Sequence, residues 1–293
     1  MTITSNHIAL SSCELHYLEA GADNTTTLVF LHGFPEFAGC WHRQLDYFKS
    51  HFRVIAPDLP GYNLSQKPKA EDFYQVPNLI SILAEFIDRV SPSSPVILIA
   101  HDWGGALAWP LTAFYPQLIS QLVILNAAHP STFTREMKNN PEQRRRSRYI
   151  LDLIADNAVN ELQKNNFAFL TNLCLAHRTY QPEEHERQVY IDAWSQIGAV
   201  EGMLQYYKNM PQLVLDEDEE KLNQLRIPDI RIDVPTTVIW GMEDRAFVPE
   251  VLDGLDRYVT DITVRRLQGA THWLHHECAD QVNVLINRAI SRQ

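Results

Sequence analysis

The chain has 293 residues, 45% of them hydrophobic and 21% charged, the make-up of an ordinary globular protein with room for a large core. Its formal net charge of −11 argues against nucleic acid and against anionic membrane surfaces as partners. No apolar run approaches the roughly 18 residues of a membrane span, so no membrane-crossing helix is expected.

Met1 to His7 show neither a basic start nor an apolar stretch, and Cys13, Cys40, Cys174 and Cys278 lie scattered without metal-ligand spacing. Both features point to a cytoplasmic protein with free thiols. Ile8 to Ala20 alternates loosely around Ser11-Ser12, the pattern of an edge hairpin. Thr27 to Leu31 is an apolar run fit for a buried strand, and it ends in His32-Gly33-Phe34-Pro35-Glu36-Phe37. Gly33 permits a turn that a side chain would block, and Pro35 stiffens the backbone after Phe34. Such a loop can aim the Phe34 amide into a site as half of an oxyanion hole, although a plain strand-ending turn is the simpler alternative. Arg53 to Ala56 reads as a third strand. Asn78 to Val90 carries Leu79, Ile82, Leu83, Phe86 and Ile87 at helical spacing, with Asn78 as its cap.

The most informative stretch is the next one. Val96 to Ala100 is a continuous apolar run, and a helical pattern extends from Ala106 to about Phe114. Between them, Ala100-His101-Asp102-Trp103-Gly104 places small residues two before and two after a polar centre. That is the spacing of a nucleophile elbow, whose central side chain stands exposed at the sheet's carboxyl edge. The centre is usually serine; here it is aspartate. A carboxylate at that point is already ionised and can attack carbon to form an ester, and the following helix's N-terminus favours its charge. An aspartate that merely caps the helix is the plainer alternative.

Leu122 to Leu125 is another strand, after which the pattern changes. From Ser131 to about Ile232 helical patterns with polar faces dominate, Tyr149 to Ala155 and Glu201 to Tyr207 being the clearest apolar stretches. Arg144-Arg145-Arg146 with Arg148, and the acidic run Asp216 to Glu220, read as solvated faces. Strands resume at Thr236 to Trp240 and Ile262 to Leu267, and Ala279 to Ala289 closes the chain as an amphipathic helix. Strands alternating with helices predict an α/β protein with a mainly parallel, doubly wound sheet. Residues 1–130 and 235–293 would form that core, and 131–234 a helical cap inserted into it.

Three candidate catalytic residues lie just past strand ends in the order Asp102, Asp244, His272. Asp244 would hold His272 in the useful tautomer, and His272 would activate water. Glu243 is the rival acid, but the loop spacing favours Asp244. His275 and His276 are expected at the surface, at a helix start, and His101 behind the elbow.

Together with Asn126-Ala127-Ala128-His129-Pro130, Gly241-Met242-Glu243-Asp244 and His272-Trp273, the His32–Phe37 and His101–Gly105 segments carry a resemblance. Over almost its whole length the chain resembles the epoxide-hydrolase branch of the α/β-hydrolase superfamily. The resemblance implies the α/β-hydrolase fold and two ring-opening tyrosines in the cap. Ser147-Arg148-Tyr149-Ile150 and Gln205-Tyr206-Tyr207-Lys208-Asn209-Met210 match the segments that bear them, which implies Tyr149 and Tyr207, with Tyr206 as a rival at the second position. The first of these segments matches less closely. Ala100 stands where the family usually has glycine, and Pro60 where an arginine is frequent.

The expected reaction opens a small apolar epoxide at Asp102 and hydrolyses the ester with water, the oxyanion being held by the Phe34 and Trp103 amides. It calls for no metal and no organic cofactor; a homodimer is left open. A haloalkane or haloacid dehalogenase with the same aspartate is the alternative, yet its halide site needs strong N–H donors, and position 34 is phenylalanine. A ligand-binding protein without catalysis on this fold is a third reading, disfavoured by the triad and tyrosines.

Overall fold

The computed structural model describes residues 2–175, 182–212 and 219–291. Eight strands form one sheet in the order β1-β2-β4-β3-β5-β6-β7-β8. In chain order they are β1 (Thr4–Ala9), β2 (Glu14–Ala20), β3 (Thr27–Leu31), β4 (Arg53–Pro57), β5 (Val96–His101), β6 (Ile119–Leu125), β7 (Thr236–Gly241) and β8 (Ile262–Leu267). β1 and β2 form the expected antiparallel hairpin, and β2 joins β4 antiparallel; every other pairing is parallel. Sheet strands covered on both faces need apolar side chains in both directions, which is why β3, β5 and β7 are buried at every position. Each fully buried Leu, Ile or Val there contributes about 1.5–3 kcal/mol of burial.

Helices flank the sheet in two pairs. α1 (His42–Phe48) packs with α12 (Ala279–Ile290), and α2 (Val76–Val90) with α3 (Asp102–Phe114). α2 starts two residues before the expected cap. Asn78 lies inside it and donates to the Asp72 carbonyl at 2.7 Å, so the capping role expected of it is not the one it plays.

Between β6 and β7 the described residues form helices: α4 (Pro130–Asn139), α5 (Pro141–Arg146), α6 (Tyr149–Leu153), α7 (Ala158–Cys174), α8 (Glu184–Trp194), α9 (Ala199–Lys208) and α10 (Glu219–Gln224). α7 is broken by a kink at Lys164, Asn165, Asn166 and Phe167, the last three with positive φ. α11 (Leu274–Glu277) precedes α12. Among the described residues no helix is long and apolar enough to cross a membrane.

The arginine run departs from expectation. Arg145 is exposed, but Arg144 is buried and donates to the Met137 and Lys138 carbonyls at 3.0 and 3.2 Å. The guanidinium satisfies carbonyls at the end of α4 that lack helical partners, a use the charge pattern does not reveal. Asp216 to Asp218 of the acidic run lie outside the described residues; Glu219 and Glu220 are exposed.

Candidate active site

The site is built where β3, β5, β6, β7 and β8 end. β5 runs into α3 without an intervening loop, and Asp102, at φ 49°, takes the left-handed conformation that this tight turn requires. For a residue other than glycine that backbone state is costly, and such strain persists where the surroundings over-determine it. The neighbours do so here. A Cβ at Gly104 would collide with the Leu31 and His32 carbonyls, and one at Gly33 with the Asp102 carboxylate. Loop and elbow therefore touch with no room for a methyl group.

That contact carries a hydrogen bond. The Phe34 amide donates to Asp102 Oδ1 at 2.7 Å. The loop is held from behind by His32, whose Nε2 accepts from the Leu59 amide at 2.9 Å while Nδ1 donates to the Gly33 carbonyl at 3.0 Å. Trp103, the first residue after the nucleophile position, packs its indole edge-on against Tyr206 and Tyr207.

Asp102 Oδ2 lies 3.4 Å from His272 Nε2, and His272 Nδ1 lies 2.8 Å from Asp244 Oδ2. Asp244 is saturated with donors. Asn126 reaches Oδ2 at 2.6 Å, and the Ala246 and Phe247 amides reach Oδ1 at 2.7 and 3.1 Å. Burial works against charge on all three members. At His272 burial alone would lower the pKa, but Asp244 and Asp102 together raise it to about 10. At Asp102 and Asp244 burial alone would raise it, yet the His272 charge and hydrogen bonds hold both carboxyls below the usual range. The arrangement thus favours a protonated imidazole between two ionised carboxyls.

In front of Asp102 lies a cavity of about 680 Å³, lined by Asp102, Trp103, Tyr149, Tyr207, Phe133 and Phe247 among mostly apolar neighbours. Its size suits a small organic ligand. Tyr149 is the first residue of α6 and is 37% exposed; Tyr207 is buried on α9. Their rings meet edge to face at 6.2 Å. Burial, then the Asp102 charge, raises the Tyr149 phenol; burial, then Tyr149 and Asp102, raises that of Tyr207. Both stay protonated donors beside an anion. Tyr206 points elsewhere, donating to the Pro60 carbonyl at 2.8 Å among Tyr62 and Tyr74. α9 is seated by backbone contact as well, since a Cβ at Gly202 would collide with Gly61.

Of the residues singled out from the sequence, Asp102, Trp103, Tyr149 and Tyr207 line one cavity, while the Phe34 amide and His272, with Asp244 behind it, adjoin the carboxylate in its wall. Three supports were not legible there. Asn126, with φ 36°, accepts from the Gly241 amide at 2.7 Å and donates to Asp244, tying β6 to the acid loop. Gln143 and Arg146 of α5 hold the same loop: Gln143 bonds Ala246 and Val248, and Arg146 donates to the Asp244 and Phe247 carbonyls. An asparagine at a strand end was the one available signal; the α5 contacts span about a hundred residues and left none.

The expectation for His275 and His276 is overturned. Both are buried, with their Nε2 atoms 2.9 and 2.5 Å from the two oxygens of Glu36. Tyr190 donates to Glu36 Oε1 at 3.0 Å, and His101 Nδ1 lies 3.5 Å from Oε2. His101 is behind the elbow as expected, donating through Nε2 to the His272 carbonyl at 2.9 Å. A buried carboxylate draws in donors, and the histidines next to His272 supply them. Among the described residues, Glu36, His101 and His275 form the one group with metal-ligand proximity, their ligand atoms within 4.8 Å of one another.

The sheet and its strand-to-helix elbow are those of an α/β-hydrolase, and the profile of the alpha/beta hydrolase fold family matches residues 26–278. Epoxide hydrolase 4 of Mus musculus is 32% identical over 94% of this chain and 76% of its own length. An AB hydrolase superfamily protein of Bacillus subtilis is 32% identical over 95% of both chains. The solved structure of a mutant Bacillus megaterium epoxide hydrolase, complexed with its product (R)-3-[1]naphthyloxy-propane-1,2-diol, is 30% identical with a TM-score of 0.88, covering 98% of this chain and 100% of that one. The chain belongs to the α/β-hydrolase superfamily, in its epoxide-hydrolase branch, and is a hydrolase.

Proposed function

We propose that the protein hydrolyses an epoxide to a vicinal diol through an ester on Asp102, with residues 131–234 serving as the cap over the site. One observation carries the reading: an ionised aspartate in the elbow position shares a largely apolar cavity with two protonated phenols. Oδ1 is bound to the Phe34 amide, which leaves Oδ2 as the attacking atom. It forms a bond to a ring carbon as the carbon–oxygen bond breaks, and Tyr149 and Tyr207 stabilise and protonate the departing oxygen.

Alkylation removes the Asp102 charge, one of the two that keep His272 protonated. The imidazole's pKa then falls, its proton is released, and it becomes the base for the second step. Water attacks the ester carbonyl carbon as His272 takes its proton; the Phe34 and Trp103 amides hold the oxyanion until it collapses, and His272 gives that proton to the departing diol oxygen. A general base is most effective with a pKa near the working pH, and the loss of charge moves His272 in that direction. The absence of any step that needs a redox or Lewis-acid partner keeps the reaction cofactor-independent in this reading, and the cytoplasm is its proposed location.

A single turnover in heavy-oxygen water tests the mechanism, with halide release from haloalkanes measured in parallel. The diol from the first turnover should carry no label, and the label should sit on Asp102. Labelled first-turnover diol would mean direct attack by water, and halide release with every epoxide untouched would mean a dehalogenase. In the same assay Tyr207→Phe should slow alkylation by ~10²–10⁴-fold, the range for general-acid help, with Tyr149→Phe similar or smaller. Parent rates in both variants would remove the tyrosines from the reaction.

A further inference from the structure

A second ordered chain of side chains lies at the far edge of the sheet, on strands the triad does not use. Ser5 on β1 is exposed, His16 on β2 is buried, and Asp58, just past β4, is fully buried. The hairpin register sets His7 opposite His16 and Ser5 opposite Leu18, so Ser5 and His16 are diagonal neighbours on one face. A long side chain reaches across that spacing. His16 Nδ1 is 2.7 Å from Asp58 Oδ2, and His16 Nε2 is 2.8 Å from Ser5 Oγ.

Hydrogen-bond partners constrain the protons. Asp58 also accepts from the Ala38 amide at 2.8 Å, the Asn63 side-chain amide at 2.9 Å and the Leu64 amide at 3.3 Å. A carboxyl surrounded by donors is in its acceptor-only, ionised form, so Nδ1 of His16 carries the hydrogen that faces it. In the neutral ring Nε2 then presents a lone pair, to which the Ser5 hydroxyl donates. His16 is further held by its backbone: its amide donates to Ser65 Oγ at 2.9 Å, and its carbonyl accepts from the Asp58 amide at 2.9 Å. This is the order of serine, oriented imidazole and buried carboxylate that prepares a hydroxyl for acyl transfer.

We propose that Ser5 is a second nucleophile of this protein, reacting with small activated acyl and phosphonyl esters. β1 ends the sheet, so among the described residues every second backbone N–H along its outer side has no strand to receive it. Either the Ser5 amide or those flanking it are therefore free to meet a developing oxyanion. Ser5 stands on an exposed strand without cavity walls, which restricts the substrates to compact esters with good leaving groups. With a nitrophenyl ester, Ser5 Oγ bonds to the carbonyl carbon as its proton passes to His16 Nε2. The bond to the nitrophenyl oxygen breaks, that oxygen taking the proton from His16, and the acyl group stays on Ser5. Water then attacks the acyl carbon as His16 takes its proton, and His16 returns that proton to Ser5 Oγ as the carboxylic acid leaves. Asp102 takes no part, so this proposal stands or falls independently of epoxide hydrolysis.

The test is labelling of the full-length protein with an alkyl fluorophosphonate, followed by digestion and mass spectrometry. Ser12, exposed in the turn between β1 and β2, serves as the internal reference. Ser5 should be occupied at least about tenfold more than Ser12, a modest demand on base assistance. The excess should persist in Asp102→Asn and vanish in a folded His16→Gln. A burst of one equivalent of nitrophenolate from nitrophenyl acetate should likewise survive Asp102→Asn and disappear with Ser5→Ala. Equal occupancy of Ser5 and Ser12 overturns the proposal, as does full labelling of Ser5 in folded His16→Gln. If His16→Gln does not fold, the Ser5 to Ser12 ratio in the parent protein decides alone.

Discussion

Two buried histidine–carboxylate clusters lie back to back behind the cavity, joined by the hydrogen bond from His101 to the His272 carbonyl. They are built from the same groups in opposite proportion. In front, one imidazole is shared by two carboxylates; behind, one carboxylate is shared by three imidazoles and a phenol. The proportion decides the charge. Two carboxylates overcome burial and raise His272 to about 10, whereas at His275 burial, only partly opposed by Glu36, holds the ring well below its usual value. Glu36 itself is pulled well below the carboxylate range against the effect of burial, by His275, His276 and His101. In the proposed reaction the front cluster changes its proton count when one carboxylate is esterified, while the rear one touches no reacting atom. In the proposed mechanism reactivity comes from an unequal ratio of acids to bases rather than from the identity of the groups.

The sharpest way to break this comparison is His272→Gln. Loss of the base should cut steady-state turnover by ~10⁴-fold or more, as for other triad members. Alkylation should continue, so the Asp102 peptide should gain the mass of the substrate. A variant that binds epoxide yet never gains that mass would give His272 another role.

Next in size is Glu36→Gln, which takes the charge from the rear cluster and leaves its donors facing an amide. Breaking buried, charge-assisted hydrogen bonds should cost about 3 kcal/mol or more, read from denaturant unfolding. The alkylation rate of the folded variant should stay within about tenfold of the parent, since the rear cluster touches no reacting atom. A larger kinetic loss with unchanged stability would mean that the two clusters exchange protons.

The smallest effect is the pH dependence of stability, and its sign differs between the clusters. His272 is raised on folding, so its contribution is present below its unfolded value of about 6.5 and is lost as pH rises through about 10. His275 is lowered, so its contribution is present above about 6.5 and is lost as pH falls. Melting temperature should therefore decline on both sides of near-neutral pH. In His272→Gln the alkaline decline should flatten while the acid decline remains. An unaltered alkaline limb would show that His272 carries no extra proton at rest.

How much of this was legible in the sequence depends on how far each cause lies along the chain. β3 was found to the residue because a strand covered on both faces announces itself as an apolar run; the partly exposed edge strand β8, with Arg265 and Arg266, also has the bounds read from the sequence. Asp102, Asp244 and His272 could be picked out because each lies shortly past a strand, and the structure places their side chains in a row. The helices between β6 and β7 were visible only as a pattern, their short lengths and kinks being set by contacts with the core. His275 and His276 were misplaced because the carboxylate that buries them lies about 240 residues earlier. Glu36 in an otherwise apolar loop was the signal that something had to satisfy it.

The meeting of Gly202 with Gly61 bears on how this enzyme can be altered. α9 rests on the loop after β4 backbone against backbone, and five residues further along the same helix stands Tyr207. Those two glycines act as a gauge block: they set the clearance between a phenol on one element and a carboxylate on another. Any side chain inserted between them is a shim. A shift of about 1 Å at a reacting group can cost ~10²-fold in rate, so a bare methyl group, carrying no charge and touching no substrate, could detune the reaction. The tolerance of the mechanism is thus machined at a joint where no chemistry occurs.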